Sequence, residues 1–367
     1  MKIEKKLWIT LFVFGLFAIG FSGWIFSQST AREKLLWDNT IRFETKKLTD
    51  GEIKSENIAL PEDFDDPRSI LFKTTHTIAE VWLDGEKIYE YGNEKDAPGF
   101  MKSPGSCWHI VDIPEDSAGK SLEVRIIPVY DDYYGNEVSI AYGTRGDCIL
   151  KILTDSFETL MLSCGILFAS IICLVLYLGA VRRKRRDKTE AKIEIFLNLG
   201  FFSLLIAIWT LAQCSFLQFL IPDGRTLYFV EYFSFFLFPI PFNFLLYDIC
   251  KSRYHKGVLI FSILYLVNMA VDVLLQCTGV IDIFRLLPAT HVIMAANAVY
   301  TIALILYEAR KEGNDEAKKF QYPMCAIIVF GMAEMFLYYL RKFQQTSIML
   351  PIGTLLFIIM LIWIQVS

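Results

Sequence analysis

The sequence has no Gly-Gly dipeptide and only four histidines, His76, His109, His255 and His291, none paired at metal-ligand spacing. There is no Gly-x-Ser-x-Gly elbow, no Gly-rich phosphate loop, no His-Glu-x-x-His and no Cys-x-x-Cys. These absences remove the local signals of a serine hydrolase, a nucleotide-phosphate site, a zinc hydrolase and a structural zinc site. The chain is therefore expected not to be an enzyme and to need no cofactor or metal. Charge is scarce as well: Asp, Glu, Lys and Arg make up 21% of the 367 residues.

Apolar residues are abundant instead, at 54%, with aromatics at 15% and a mean hydropathy of +0.40. That is too apolar for an ordinary soluble protein. The charge is segregated between long uncharged stretches and dense ones, which indicates a polytopic membrane protein with one soluble insertion. The expected fold is an N-terminal anchor helix over 1–26, an extracellular all-β, jelly-roll-like sandwich over 27–155, and a seven-helix transmembrane domain over 156–367. Met1 to Lys6 carries three lysines ahead of the apolar run Leu7 to Phe26. Ser29-Thr30-Ala31 offers a weak cleavage site, but the run exceeds the length of a signal-peptide core, so an uncleaved anchor is expected. Either way, the segment that follows is exported.

Seven further runs have the roughly 17–25 residues needed to cross a bilayer: Phe157–Val181, Ile193–Ile221, Leu227–Cys250, Val258–Cys277, Leu286–Tyr307, Tyr322–Leu340 and Ile348–Val366. The first ends on Arg182-Arg183-Lys184-Arg185-Arg186. Such a run can bind anionic lipid or nucleic acid, but its position favours a stop-transfer role, and no nucleic-acid partner is expected. Membrane lipid is a partner by necessity. Placing this run in the cytoplasm leaves 17 Lys and Arg in the inner segments 1–6, 182–192, 251–256 and 308–321, against 4 in the outer loops 222–226, 278–285 and 341–347. The positive-inside rule is met throughout. Both termini are then cytoplasmic, and the chain is a plasma-membrane protein.

The insertion carries 15 basic against 25 acidic residues, and its apolar pattern has period two. Ala79, Val81 and Leu83 alternate with Glu80, Trp82 and Asp84, and Asp84-Gly85 is a hairpin signal before Glu86 to Tyr91. Leu122, Val124 and Ile126 alternate in the same way, as do Val138, Ile140 and Tyr142. Short strands with Pro and Gly punctuation suggest an all-β sandwich. Cys107 and Cys148 both fall here, but two cysteines without geometry do not establish a bridge. Aromatic side chains fill sandwich cores and also bind flat ligands. Trp82, Trp108, His109, Tyr130, Asp131, Tyr133 and Tyr134 are the candidate ligand-binding residues, with the turn from Tyr130 to Tyr134 the best exposed.

Inside the spans, Glu231, Asp272, His291 and Glu334 fall in the outer halves of their segments. Ionisable groups in hydrocarbon are costly and usually face the bundle interior. At similar depth, these four would form one outward-facing polar pocket for a ligand or protons, or else hold helices together. Pro239-Ile240-Pro241 predicts a kink. Glu308 to Gln321 reads as solvated inner surface.

Ala79-Glu-Val-Trp-Leu-Asp-Gly-Glu-Lys-Ile-Tyr-Glu-Tyr-Gly92, Ser103-Pro-Gly-Ser-Cys-Trp-His109 with its strand to Pro114, and Gly119-Lys-Ser-Leu-Glu-Val-Arg125 resemble the jelly-roll sensor domains of the bacterial seven-transmembrane receptors with diverse intracellular signalling modules. The order of parts resembles that family over most of the chain. The resemblance implies a receptor whose β domain binds a small extracellular ligand, such as a carbohydrate, and whose helices relay the signal to a cytoplasmic output module or partner protein. In such receptors the output is often a diguanylate cyclase with a Gly-Gly-(Asp/Glu)-Glu-Phe signature. That signature is absent here, so the cyclase activity is not carried over: the chain is expected to be a sensor half whose cyclase or kinase domain would lie beyond Ser367, a truncated gene product, or a receptor that works through a partner. A homodimer is left open. The rival expectation is a multi-pass transporter using the polar pocket, against which the chain has no inverted repeat.

Overall fold

The computed structural model describes residues 41–43, 46–47, 53–54, 58–60, 68–93, 97–130, 138–187, 194–340 and 347–366. The expected anchor over 1–26 lies outside them, as do Asp131, Tyr133 and Tyr134. Among the described residues, ten strands precede the helices: β1 Ile41–Phe43, β2 Lys46–Lys47, β3 Ile53–Lys54, β4 Ile58–Ala59, β5 Arg68–Thr75, β6 Thr77–Leu83, β7 Glu86–Tyr91, β8 Ser106–Ile113, β9 Ser121–Pro128 and β10 Val138–Gly143. They form two sheets. One has the order β1-β10-β5-β8; the other runs β2-β3-β9-β6-β7, with β4 also on β9. Both are antiparallel, with Phe72 opposite His109 in the first and Val81 opposite Val124 in the second.

Period two explains the second sheet. In β6 and β9 alternate residues are buried, so Ala79, Val81, Leu83, Leu122, Val124 and Ile126 face inward. They meet Ile70, Phe72, Val111 and Ile113 of the first sheet in one core. The β6–β7 hairpin turns at Asp84-Gly85, both with positive φ (46° and 86°), as a two-residue turn that matches strand twist requires. Strand β5 does not alternate, because it is covered on both faces. Ile70 and Phe72 point into the core, while Leu71 packs beneath the first helix with Cys148 and Ile152.

Eight helices follow: α1 Arg145–Asp187, α2 Glu194–Ala212, α3 Gly224–Leu237, α4 Pro239–Ile249, α5 Gly257–Cys277, α6 Ile283–Arg310, α7 Asp315–Leu340 and α8 Met349–Val366. Taking α3 and α4 together, six helical segments among the described residues are long and apolar enough to cross a membrane; the apolar part Met349–Leu361 of α8 is shorter. This is a multi-pass membrane protein. Large apolar residues such as Ile260, Val292, Val299 and Phe336 stay exposed on α5, α6 and α7, as expected where lipid is the solvent.

Two boundaries differ from the sequence expectation, while the expected break at the proline pair is present. Helix α1 begins at Arg145, twelve residues ahead of its apolar run and inside the range expected to be β-sheet, because its first turns bury Cys148 and Ile152 against the sheet. Ile193–Ile221 is not one helix: α2 stops at Ala212, and Ser215–Phe219 forms a 3₁₀ turn. The proline pair divides Leu227–Cys250 into α3 and α4 at Phe238, since Pro239 supplies no N–H to continue the ladder. Glu308 is not solvated surface; it is fully buried and accepts hydrogen bonds from the backbone N–H groups of Lys251 and Ser252 at 3.0 and 2.6 Å.

Candidate functional site

The β region is built onto one end of the helices. Met101 and Tyr130 belong to the same buried cluster as Ile166, Tyr228 and Phe284, and burying side chains of this size favours docking by roughly 1.5–3 kcal/mol each. The Tyr130 hydroxyl donates to Asp282, its ring stacks on Phe284 at 5.6 Å, and the Arg285 guanidinium lies 5.2 Å from the ring centre. Gln276 Nε2 donates to the Phe100 carbonyl. On the edge strand β8, the Gln218 side chain accepts from the Trp108 N–H at 2.9 Å and donates to its carbonyl at 3.3 Å, covering backbone that an edge strand would leave unpaired.

Two backbone features set how closely the parts approach. Gly105 has φ +85°, and a Cβ there would sit 2.5 Å from the Gly224 carbonyl oxygen. His76, where the chain passes from one sheet to the other, has φ +53°, uncommon outside glycine. Its ring is buried against Tyr130, Tyr228 and Phe284, with centroids 5.8, 5.8 and 4.8 Å away. Its Nδ1 is 2.7 Å from Ser103 Oγ. Burial disfavours the imidazolium and lowers the His76 pKa to about 3. Lys73 of β5 points the same way, with Nζ 6.0 Å from the Trp108 ring centre. Burial pulls its pKa below the ordinary lysine range, while Asp155, Cys107 and Glu231 oppose the shift.

A cavity of about 660 Å³, counting its open mouth, lies in the helices at this end. Its enclosed part has room for a few waters. Glu231, His291 and Glu334 all line it; Asp272 does not. The three differ in their partners. Glu334 accepts from the N–H groups of Met349 and Leu350 at 2.6 and 3.2 Å, capping the start of α8, where those groups have no intrahelical acceptor. His291 Nδ1 is 2.9 Å from the Tyr339 hydroxyl. Glu231 Oε1 accepts from Gln213 Nε2 at 3.1 Å, and Gln213 Oε1 accepts from the Ser347 N–H at 3.2 Å. Asp272 sits nearby on α5, bonded to Asn268, which also donates to Thr290 of α6.

The β-region candidates scatter. Trp82 lies on the outer face of its sheet, donates to Glu80 at 2.9 Å, and has the Arg125 guanidinium 4.4 Å and the Lys87 ammonium 5.4 Å from its ring centre. Trp108 faces the helices. His109 is buried between the sheets, with Nε2 2.6 Å from Thr74 Oγ1 and Nδ1 2.9 Å from the Tyr89 hydroxyl; burial lowers its pKa to about 3. Both ring nitrogens are engaged, so in this conformation His109 presents neither to an external ligand. Tyr130 is not an exposed turn residue: it is 5% exposed and anchors the junction. Cys107 and Cys148 are both free thiols. They lie on opposite faces of one sheet, Cys107 inward and Cys148 under Leu71, and burial raises the Cys107 pKa to about 12. Arg182 is exposed near the end of α1, and the backbone of Arg183, Lys184, Arg185 and Arg186 continues that helix.

Sequence reasoning missed Lys73, His76, Met101, Gln213, Gln218 and Gln276. The glutamines carried a signal, since a carboxamide at the end of an apolar run needs a partner. Lys73 interrupts the apolar run of β5 in the same way. His76 carried none, because its positive φ and its neighbours come from distant parts of the chain. Comparison of the chain with protein families, with curated proteins and with solved structures finds no match.

Proposed function

We propose that this chain is a bacterial plasma-membrane receptor that senses a small extracellular solute through its β region and passes the signal through its helices. In this reading α8 is the seventh span, the residues before the sheets include a further anchor, the sheets form a jelly-roll-like sensor, and an output module or partner protein acts at the cytoplasmic ends. The observation that carries it is the junction: Met101, Tyr130 and His76 are packed as helix-core residues. A change in the sheets therefore cannot leave the helices untouched, and a ligand shifts the two together by its differential affinity for two arrangements. The outer face around Trp82 supports a carbohydrate, because a ring flanked by Glu80, Glu90, Lys87 and Arg125 offers both stacking and hydroxyl partners.

The test is hydrogen exchange on the full chain in nanodiscs, with and without a panel of neutral saccharides. A binding sugar should slow exchange in β6, β7 and β9 and change it at 251–256 and 308–321. Saccharides that alter none of these segments at saturating concentration would refute the reading. The cavity beside Glu231 favours a second reading, a permease. Substrate accumulation in proteoliposomes would support it over the receptor.

A further inference from the structure

We propose that the helix cavity beside Glu231 is a binding site for a small organic ammonium ion. Glu231 is 9% exposed, yet among the described residues only one of its carboxylate oxygens has a hydrogen-bond donor, Gln213. Glu334, the other acid on the wall, is committed to the N-terminus of α8. A buried carboxylate lacking donors is costly unless it takes up a proton or a cation joins it. Among the described residues no Lys or Arg lines the space. Lys73 interacts with Glu231 electrostatically from the sheet but forms no ion pair with it.

The rest of the wall decides which cation. Trp209, Phe235, His291 and Tyr338 form a chain of rings with successive centroids 5.6, 5.8 and 5.3 Å apart. A hard metal ion needs about six or more oxygen ligands, and the wall is mostly rings. Aromatic surfaces with one carboxylate suit an alkylated ammonium, whose charge is spread over methyl groups and is attracted to ring faces. The cavity shares no residue with the face around Trp82, so the site does not depend on the carbohydrate reading. A cation at Glu231 would repel Lys73 and so act on β5, which gives the helix site a route to the sheets.

Choline and its neutral isostere 3,3-dimethyl-1-butanol are the probes, titrated by calorimetry into the full chain in nanodiscs. Choline should saturate and bind at least tenfold more tightly than the alcohol. Glu231→Gln should lose at least tenfold in choline affinity and leave the alcohol unchanged. Equal binding of the two probes, unchanged affinity in Glu231→Gln, or no choline saturation at tens of millimolar would each overturn the proposal. If Glu231→Gln fails to elute as a monodisperse protein, Trp209→Leu replaces it, with the same tenfold loss expected and unchanged affinity counting against the site.

Discussion

Lowering the pH from 7 to 5 should loosen the β region, and the size of the effect follows from two histidines. His76 and His109 both have pKa values near 3 in the folded chain, against about 6.5 for an exposed imidazole. Between those values the opened chain binds protons that the folded chain refuses. Stability from this source is fully present above about pH 6.5 and is lost as the pH falls toward 3. At pH 5 each histidine costs about 2 kcal/mol relative to neutral pH, so an opening that exposes both becomes easier by about 4 kcal/mol. The assay is hydrogen exchange of β5, β6 and β8 amides at pH 7, 6 and 5, corrected for the intrinsic exchange rate. His76→Asn keeps a side chain that tolerates positive φ and removes one titration. It should open more easily at every pH because the ring is gone, but its pH slope should fall to about half. A wild-type change below about 1 kcal/mol, or a variant with the wild-type slope, would refute the argument that burial holds these rings neutral.

Gly105→Ala should undock the β region, since its Cβ would meet the Gly224 carbonyl at 2.5 Å, whereas Gly119→Ala, with φ +73° but open space, should cost only about 1 kcal/mol; limited proteolysis at the junction reads the contrast. Gln218→Ala removes two hydrogen bonds to β8 and should weaken docking by roughly 1–3 kcal/mol, measured as faster exchange of the Trp108 amide. Glu334→Ala uncaps α8 and should destabilise its first turn by about 1 kcal/mol, seen as faster exchange at Met349 and Leu350 with little change at the far end of α7.

Local pattern made the β6–β7 hairpin and β9 legible, because each has one face on the core and a side-chain period of two. It failed for β5, whose two covered faces erase the alternation. The helices were legible as apolar runs, but α1 was read from Phe157 because its amphipathic start at Arg145 belongs to the sheet's packing and not to the bilayer. Depth alone grouped Glu231, Asp272, His291 and Glu334, of which all but Asp272 line one cavity. Depth could not separate a capping carboxylate from one lacking donors, since that depends on where the start of α8 lies. Tyr130 was read as exposed because its neighbours in sequence are polar turn residues. Its partners Asp282, Phe284 and Arg285 are some 150 residues away in the chain.

Helix α1 runs 43 residues without a break, about 65 Å at 1.5 Å per residue, from beneath the Leu71 face of the sheet to the basic run after Val181. An unbroken helix has no joint in which to dissipate twist. The side of the sheet that Ile152 grips therefore fixes the rotational phase of the basic run, about 100° for every intervening residue. Such a shaft transmits torque as readily as displacement. On the proposed receptor reading, a rotation imposed at the sheet would turn the far end of α1 at unchanged depth.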